Sequence, residues 1–475
     1  MSRININTQL FYSISLFLIL LMSSCSKTSF EGEIIFTQVK GDLTESSLKN
    51  INCNNYFSKS SIAAINPVKG NESLKILTKD FYSACAPKIS FDGALMIFSA
   101  QKNKGDKWQI WQLDLSNLKF QQLVFSEQNC IDPNYLPTGQ IVFSKYVLSN
   151  AENGGYALFT CNFDGSELHQ ITFNPHSYFS SIVLKDGRLL AISKQYFPED
   201  KKGVLMISRP DGSKQDVFYK SSNTYNLISI GCETDKGEIL FIEQNTSTEE
   251  YRIVSVNYSN PLNTRVELSK TIKGSFHFVN SKNDTEFVTS FKPSSNDRYG
   301  IYEYNSIKNA IEKEIYTNSD FNIIDVVLVE KRELPRKLPS EINLNKNTAL
   351  MVCQNANLTD IETIENTDNY KSNKIEFIGI DKSIGTINLE DDGSFYVKML
   401  ADVPFRVQTL NSEGDIVNGP SSWIYLRPNE RRGCVGCHEN KGLVPDNIQP
   451  LSVRKFPIVL PSQENKINAK KELVK

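Results

Sequence analysis

The chain has 475 residues, 40% hydrophobic and 22% charged, with 52 Lys and Arg against 54 Asp and Glu and a formal net charge of −2. That is the make-up of an ordinary globular protein long enough for about three domains. Its basic residues are scattered, with no basic stripe, so nucleic acid is not an expected partner.

The first 24 residues read as a targeting segment. Arg3 is the only charge before a mostly apolar run of 13 residues, Leu10 to Met22, which is too short for a comfortable transmembrane helix. The run ends Leu21-Met22-Ser23-Ser24-Cys25, which resembles a bacterial lipobox. In lipoproteins such a cysteine becomes the mature N-terminus and carries acyl chains, and more than one chain makes a stable anchor. Cys25 is therefore the expected lipidation site, with residues 25–32 as a spacer; the alternative is a plain secretory signal cut nearby. Either way the mature chain is expected outside the cytoplasm. With Cys25 acylated it would sit in the bacterial cell envelope, anchored to the membrane on the periplasmic or cell-surface side.

From Glu33 onward a pattern repeats. Asp92-Gly93, Thr138-Gly139, Asp186-Gly187, Lys236-Gly237 and Asn283-Asp284 each precede a run rich in aliphatic and aromatic residues. The turn positions Gly93, Gly139, Gly187, Gly237 and Asp284 lie 46, 48, 50 and 47 residues apart. A near-constant period of that size signals a repeat architecture. A Gly-containing turn accepts positive φ and joins two strands. Each copy continues with further apolar strands, such as Trp108 to Leu113 and Val204 to Ile207. Four strands per period make a β-propeller blade. Counting the Glu33 strand gives six blades over residues 33–330, with that strand closing the ring against Ile323 to Val329. The repeats resemble the Asp-Gly-rich blades of TolB-type proteins, as in Pro87 to Gly93 and Phe163 to Leu168. That is a resemblance of fold and names no chemistry. His169, His176 and His277 fall in this region and read as ordinary propeller residues.

Lys331 to Ser340, charged and carrying Pro335 and Pro339, reads as a linker. Alternating or apolar runs at Ile375 to Ile380, Gly385 to Leu389, Ser394 to Val397 and Phe405 to Leu410 then predict a small β-sandwich over 341–430. The expected fold class is thus all-β: a six-bladed β-propeller followed by a small β-sandwich-like domain that carries a C-terminal c-type haem motif. Residues 431–460 are the expected haem c segment and 461–475 an expected disordered, polar tail.

The motif is Cys434-Val435-Gly436-Cys437-His438. Two thiols three positions apart can reach the two vinyl groups on one edge of a porphyrin and close thioethers. The adjacent His can then bind the iron axially. Half of a zinc site and a redox dithiol are the rival readings. With nine Cys and four His in the chain, no second Cys/His cluster completes a zinc site, and the surroundings lack the βαβ setting of a thioredoxin-type dithiol. The expected cofactor is one covalent haem c held by Cys434, Cys437 and His438. Met399 is the first candidate for a sixth ligand, with plain core as its alternative. Arg431 and Arg432 are candidates to pair with the propionates, and Trp423 and Tyr425 to wall the ring. The remaining cysteines are Cys53, Cys85, Cys130, Cys161, Cys232 and Cys353; Cys85 and Cys130, near matching turn glycines, are the one candidate disulfide, with buried free thiols in strands as the alternative.

The C-terminal segment is similar to the hydrazine synthase alpha subunit family. The residues that carry the resemblance are Ile384-Gly385-Thr386, Asp391 to Phe395, Ala401 to Pro404, Gln408 to Leu410, Ser421 to Trp423, Arg427 to Glu439 and Gln449 to Arg454. The resemblance implies a six-bladed propeller ahead of this segment, thioether roles for Cys434 and Cys437, and the motif His in His438. The family's synthase uses a Tyr shortly after that His as an iron ligand and works with partner subunits. Here Glu439-Asn440-Lys441-Gly442-Leu443 has no Tyr, which argues against hydrazine synthesis itself. The expected function is electron transfer with a redox partner protein. The alternatives are an oxidoreductase-type haem enzyme acting on a small nitrogen or oxygen compound, and a non-catalytic propeller scaffold with a structural haem. No Ser-His-Asp set, paired-carboxylate site or phosphate loop stands out, so no catalytic residue is assigned.

Overall fold

The computed structural model describes residues 30–43, 59–148, 154–195, 203–358, 371–436 and 447–461. Their secondary structure is almost entirely strand, arranged as eight four-stranded sheets.

Six of these sheets are propeller blades. In five, four consecutive strands run outward from an inner strand: Ser83–Ile89, Cys130–Tyr135, His176–Val183, Tyr225–Glu233 and Ser275–Ser281. These begin blades two to six. Blade one is composite. Its inner strand, Phe321–Leu328, comes from the end of the propeller and pairs antiparallel with Ile34–Lys40 from its start. The six-blade count and the closure by the Glu33 strand are borne out. Joining the two ends of the repeat in one sheet removes the open edges that would otherwise template aggregation.

The inner strands share one irregularity. Each carries a bulge at an equivalent place, as between Cys85 and Lys88, Ile131 and Asn134, and Phe179 and Ile182. Ala86, Asp132, Ser180 and Asp325 adopt positive φ there. Two of these carboxylates use the bulge to stitch neighbouring blades. Ala86 N donates to Asp325 Oδ2 and Ser180 N to Asp132 Oδ2, each at 3.2 Å. A bulge leaves backbone groups outside the ladder, and these side chains satisfy them.

The candidate Cys85–Cys130 bridge is not formed, and both residues are buried thiols. Cys130 is a buried thiol that donates to Gln128 O at 3.7 Å. Cys85 precedes its turn glycine by eight residues and Cys130 by nine. Side chains alternate along a strand, so this offset of one turns them to different clusters. Cys85 packs with Ile131, while Cys130 packs with Ile97, Ile110 and Phe143.

The linker is tied down rather than loose. Arg332 N donates to Phe91 O at 2.8 Å and Arg336 N to Lys185 O at 2.9 Å. The second contact explains Gly187, because a Cβ there would lie 2.0 Å from Arg336 O, at a φ of +89°.

The last two sheets form the predicted sandwich. One has strand order Arg431–Cys434, Thr348–Cys353, Phe395–Leu400, Ile458–Val459; the other Ser383–Asn388, Lys374–Ile378, Arg406–Leu410, Ile416–Asn418. Alternate residues of both sheets, including Met351, Val397, Ile375 and Phe377, interleave as one apolar core. The segment expected to hang from the sandwich begins and ends as strands of it: Arg431–Cys434 and Ile458–Val459 both pair in parallel with core strands.

Candidate functional site

Cys434 ends a strand held on one side by Thr348–Cys353, with Leu350, Met351, Val352 and Cys353 opposite Arg431, Arg432, Gly433 and Cys434. Hydrogen bonds from Leu350 N to Glu430 O (2.9 Å), Gln354 N to Cys434 O (2.9 Å) and Asn355 N to Val435 O (3.0 Å) extend the register at both ends. Cys434 is half-buried against the sandwich core. Gly436 follows where the backbone passes so close to the neighbouring turn that a Cβ would meet Leu358 O at 2.5 Å. Cys437, His438 and Cys25 lie outside the described residues. Among the described residues no three His, Cys, Asp or Glu side chains gather as a metal-binding group.

The residues before Cys434 fasten the sandwich to blade four. Glu430 is buried, and its side chain has four donors. Oε1 accepts from Lys214 N (3.0 Å) and from Arg432 Nε (3.1 Å) and Nη2 (2.7 Å); Oε2 accepts from Arg427 N (2.7 Å). Arg432 also donates to Gln215 O at 3.1 Å. Arg427, 2% exposed, donates to Asp211 O (2.9 Å) and Asp402 Oδ1 (2.7 Å) and lies 4.8 Å over the Phe173 ring. Burial pushes the Asp402 carboxyl up, against the pull of Arg427. A buried charge is tolerated when paired and hydrogen-bonded in this way.

Trp423 and Tyr425 belong to the same junction. Tyr425 is fully buried, with its hydroxyl 2.9 Å from both Ile171 O and Gly212 O and its ring 5.5 Å from Phe173. The Trp423 carbonyl accepts from Asn174 Nδ2 at 3.1 Å, and Arg406 lies 5.8 Å over its ring. Arg432 is committed to Glu430 and is not a spare cation for a propionate. Arg431 is exposed and makes no ion pair among the described residues.

Met399 is 3% exposed within the sandwich core and pairs with Ala349. It stands two strands across and four residues along from Cys434, on the order of 16 Å by strand spacing and rise. Its place is in the sandwich core. Of the propeller histidines, His169 is exposed, while His176 and His277 are buried. Burial, helped by the Arg406 charge, pushes the His176 pKa down to about 4; burial and Lys292 do the same to His277. Both are neutral imidazoles at ordinary pH.

Sequence reasoning missed the fastening role of Arg427, Glu430 and Tyr425. The available signal was the dense charge of Arg427-Pro428-Asn429-Glu430-Arg431-Arg432 next to an aromatic strand. Its partners Asp211, Lys214 and Gln215 stand more than 200 positions away, where no local pattern marks them.

Residues 344–439 match the family described as the hydrazine synthase alpha subunit middle domain. The hydrazine synthase subunit alpha of Kuenenia stuttgartiensis is 21% identical, with 77% of this chain and 61% of that protein covered. The chain thus spans less than two thirds of that relative's length. The solved structure of Kuenenia stuttgartiensis hydrazine synthase superposes with a TM-score of 0.78 at 19% identity, over 89% of this chain and 71% of the other, a likeness of fold. TolB from Acinetobacter baumannii is more distant, with a TM-score of 0.44, 12% identity, and 62% and 66% covered. A matching middle domain, a distant sequence relationship reaching back through the propeller and a common fold make this chain similar to the hydrazine synthase alpha subunit.

Proposed function

We propose that this protein is a lipid-anchored, extracytoplasmic monohaem c-type protein that exchanges electrons with a redox partner protein. The observation that carries the proposal is the Cys434-Val435-Gly436-Cys437-His438 run, in a segment that matches the family's middle domain. The chemistry of the donors fits: Cys434 is a thiol at a strand end, and the residue is partly exposed. In this reading Cys434 and Cys437 hold the group covalently and His438 ligates the iron. When bound, haem c supplies a one-electron iron couple whose potential follows the axial ligands and the burial of the ring. Arg431, exposed beside the motif, is the cation available to a propionate. The network of Arg427, Glu430 and Arg432 fixes the approach of the motif to the propeller. Lipidation of Cys25 holds the protein at the membrane.

A second reading is favoured by the relationship to a synthase subunit: an oxidoreductase acting on a small nitrogen or oxygen compound. Hydrazine synthesis itself is disfavoured, because residues 439–443 supply no Tyr. Optical and magnetic resonance spectra of protein matured with haem-attachment machinery separate the two. A low-spin, six-coordinate haem that cycles between oxidation states and ignores small ligands supports electron transfer. A high-spin haem that binds them overturns it in favour of the enzyme.

A further inference from the structure

Cys353 has no part in the motif, yet it stands directly opposite Cys434 in the parallel pair. Both side chains face the same sandwich core. Adjacent strands run about 4.8 Å apart, inside the separation of roughly 4.4–6.8 Å between Cα atoms that a disulfide spans. The Cys353 thiol also leans toward the motif: Sγ donates to Val435 O at 3.9 Å, one residue past Cys434. Main-chain hydrogen bonds from Gln354 N to Cys434 O and from Asn355 N to Val435 O hold the two chains in this register.

We infer that Cys353 is a redox partner of Cys434, and that a Cys353–Cys434 disulfide is the oxidised resting form of the protein before cofactor attachment. The reaction joins the two sulfurs and releases two protons and two electrons. A protein disulfide of the envelope's thiol-oxidising machinery takes them up and becomes a dithiol. Reduction by an envelope dithiol reverses the step. In this form Cys434 cannot make a thioether. The disulfide rests on the extracytoplasmic location given under Proposed function, and the control of haem attachment rests in addition on the haem reading given there. Cys353 is 1% exposed, so the bridge, once made, is shielded from solvent thiols, and its reduction needs the edge strand Arg431–Cys434 to loosen.

The test uses the full chain exported to an oxidising envelope without haem-attachment machinery. Thiols are blocked on lysis and peptides are mapped without reduction. The expected product is a peptide pair joined through Cys353 and Cys434. Recovery of both residues as blocked thiols, or of Cys434 joined only to Cys437, overturns the inference. A second arm supplies the attachment machinery with limiting reductant and compares wild type with Cys353→Ser and Cys353→Ala. The variants are expected to carry several-fold more covalent haem, with the difference abolished by added dithiol. Equal haem in all three overturns the control of attachment. Haem absent from all three, with the disulfide present, overturns the haem reading and leaves the disulfide standing.

Discussion

Glu430 Oε1 accepts the backbone N–H of Lys214 at 3.0 Å, across 216 positions of sequence. One carboxylate four residues before Cys434 thereby binds the sandwich to the outer turn of blade four. It also gathers Arg432 and the Arg427 backbone. Glu430→Ala leaves four donors without this acceptor, and breaking a buried pair costs about 3–5 kcal/mol. Chemical denaturation is expected to show a loss of that size, with faster proteolysis of the linker at 331–340. A loss under about 0.5 kcal/mol, the range of an ordinary surface change, would contradict the role assigned to Glu430.

Gly187 makes a separate prediction. Ala there combines a strained positive φ with a Cβ placed 2.0 Å from Arg336 O. Gly187→Ala is expected to destabilise by about 1–3 kcal/mol and to release the linker from Lys185, seen as faster amide exchange at Arg336. Unchanged exchange at that amide would remove the linker contact as the reason for the glycine.

Met399→Leu tests the core placement of that side chain. The swap nearly conserves volume, so a cost below about 1.5 kcal/mol is expected, with an unchanged absorption spectrum in haem-loaded protein. Loss of a sulfur–iron charge-transfer band would instead return Met399 to the iron.

His176 and His277 give the fold an acid limit. Each has a folded pKa pushed down from 6.5 to about 4. Below pH 6.5 the unfolded chain takes up protons that the folded chain refuses, so stability is lost as pH falls from 6.5 toward 4. Each histidine contributes about 3 kcal/mol over that window. His277→Gln is expected to flatten the pH dependence of unfolding between those limits. A slope unchanged from wild type would contradict its burial as a neutral ring.

The propeller was legible because its determinants are local and repeated. A turn such as Asp186-Gly187 followed by an apolar strand recurs at a steady period, and the Glu33 strand lacks a first strand of its own to pair with. The junction was not legible. Trp423 and Tyr425 look alike in sequence whatever they pack against, and their partners Ile171, Asn174 and Gly212 stand far away in the chain. The Cys85–Cys130 expectation failed on a shift of one residue, which the strand's alternation turns into opposite directions. Cys353 was legible only as a leftover cysteine; its register with Cys434 is a property of the sheet.

The most direct test of the central claim is the mass of the mature protein, made in an envelope that carries haem-attachment machinery, with peptide mapping of residues 431–441. The account predicts one haem per chain, bound to the peptide of Cys434 and Cys437 and lost in a Cys434→Ala, Cys437→Ala double variant. An unmodified peptide from folded, correctly exported protein would contradict it, and zinc bound at the same residues would put a structural metal in place of the haem.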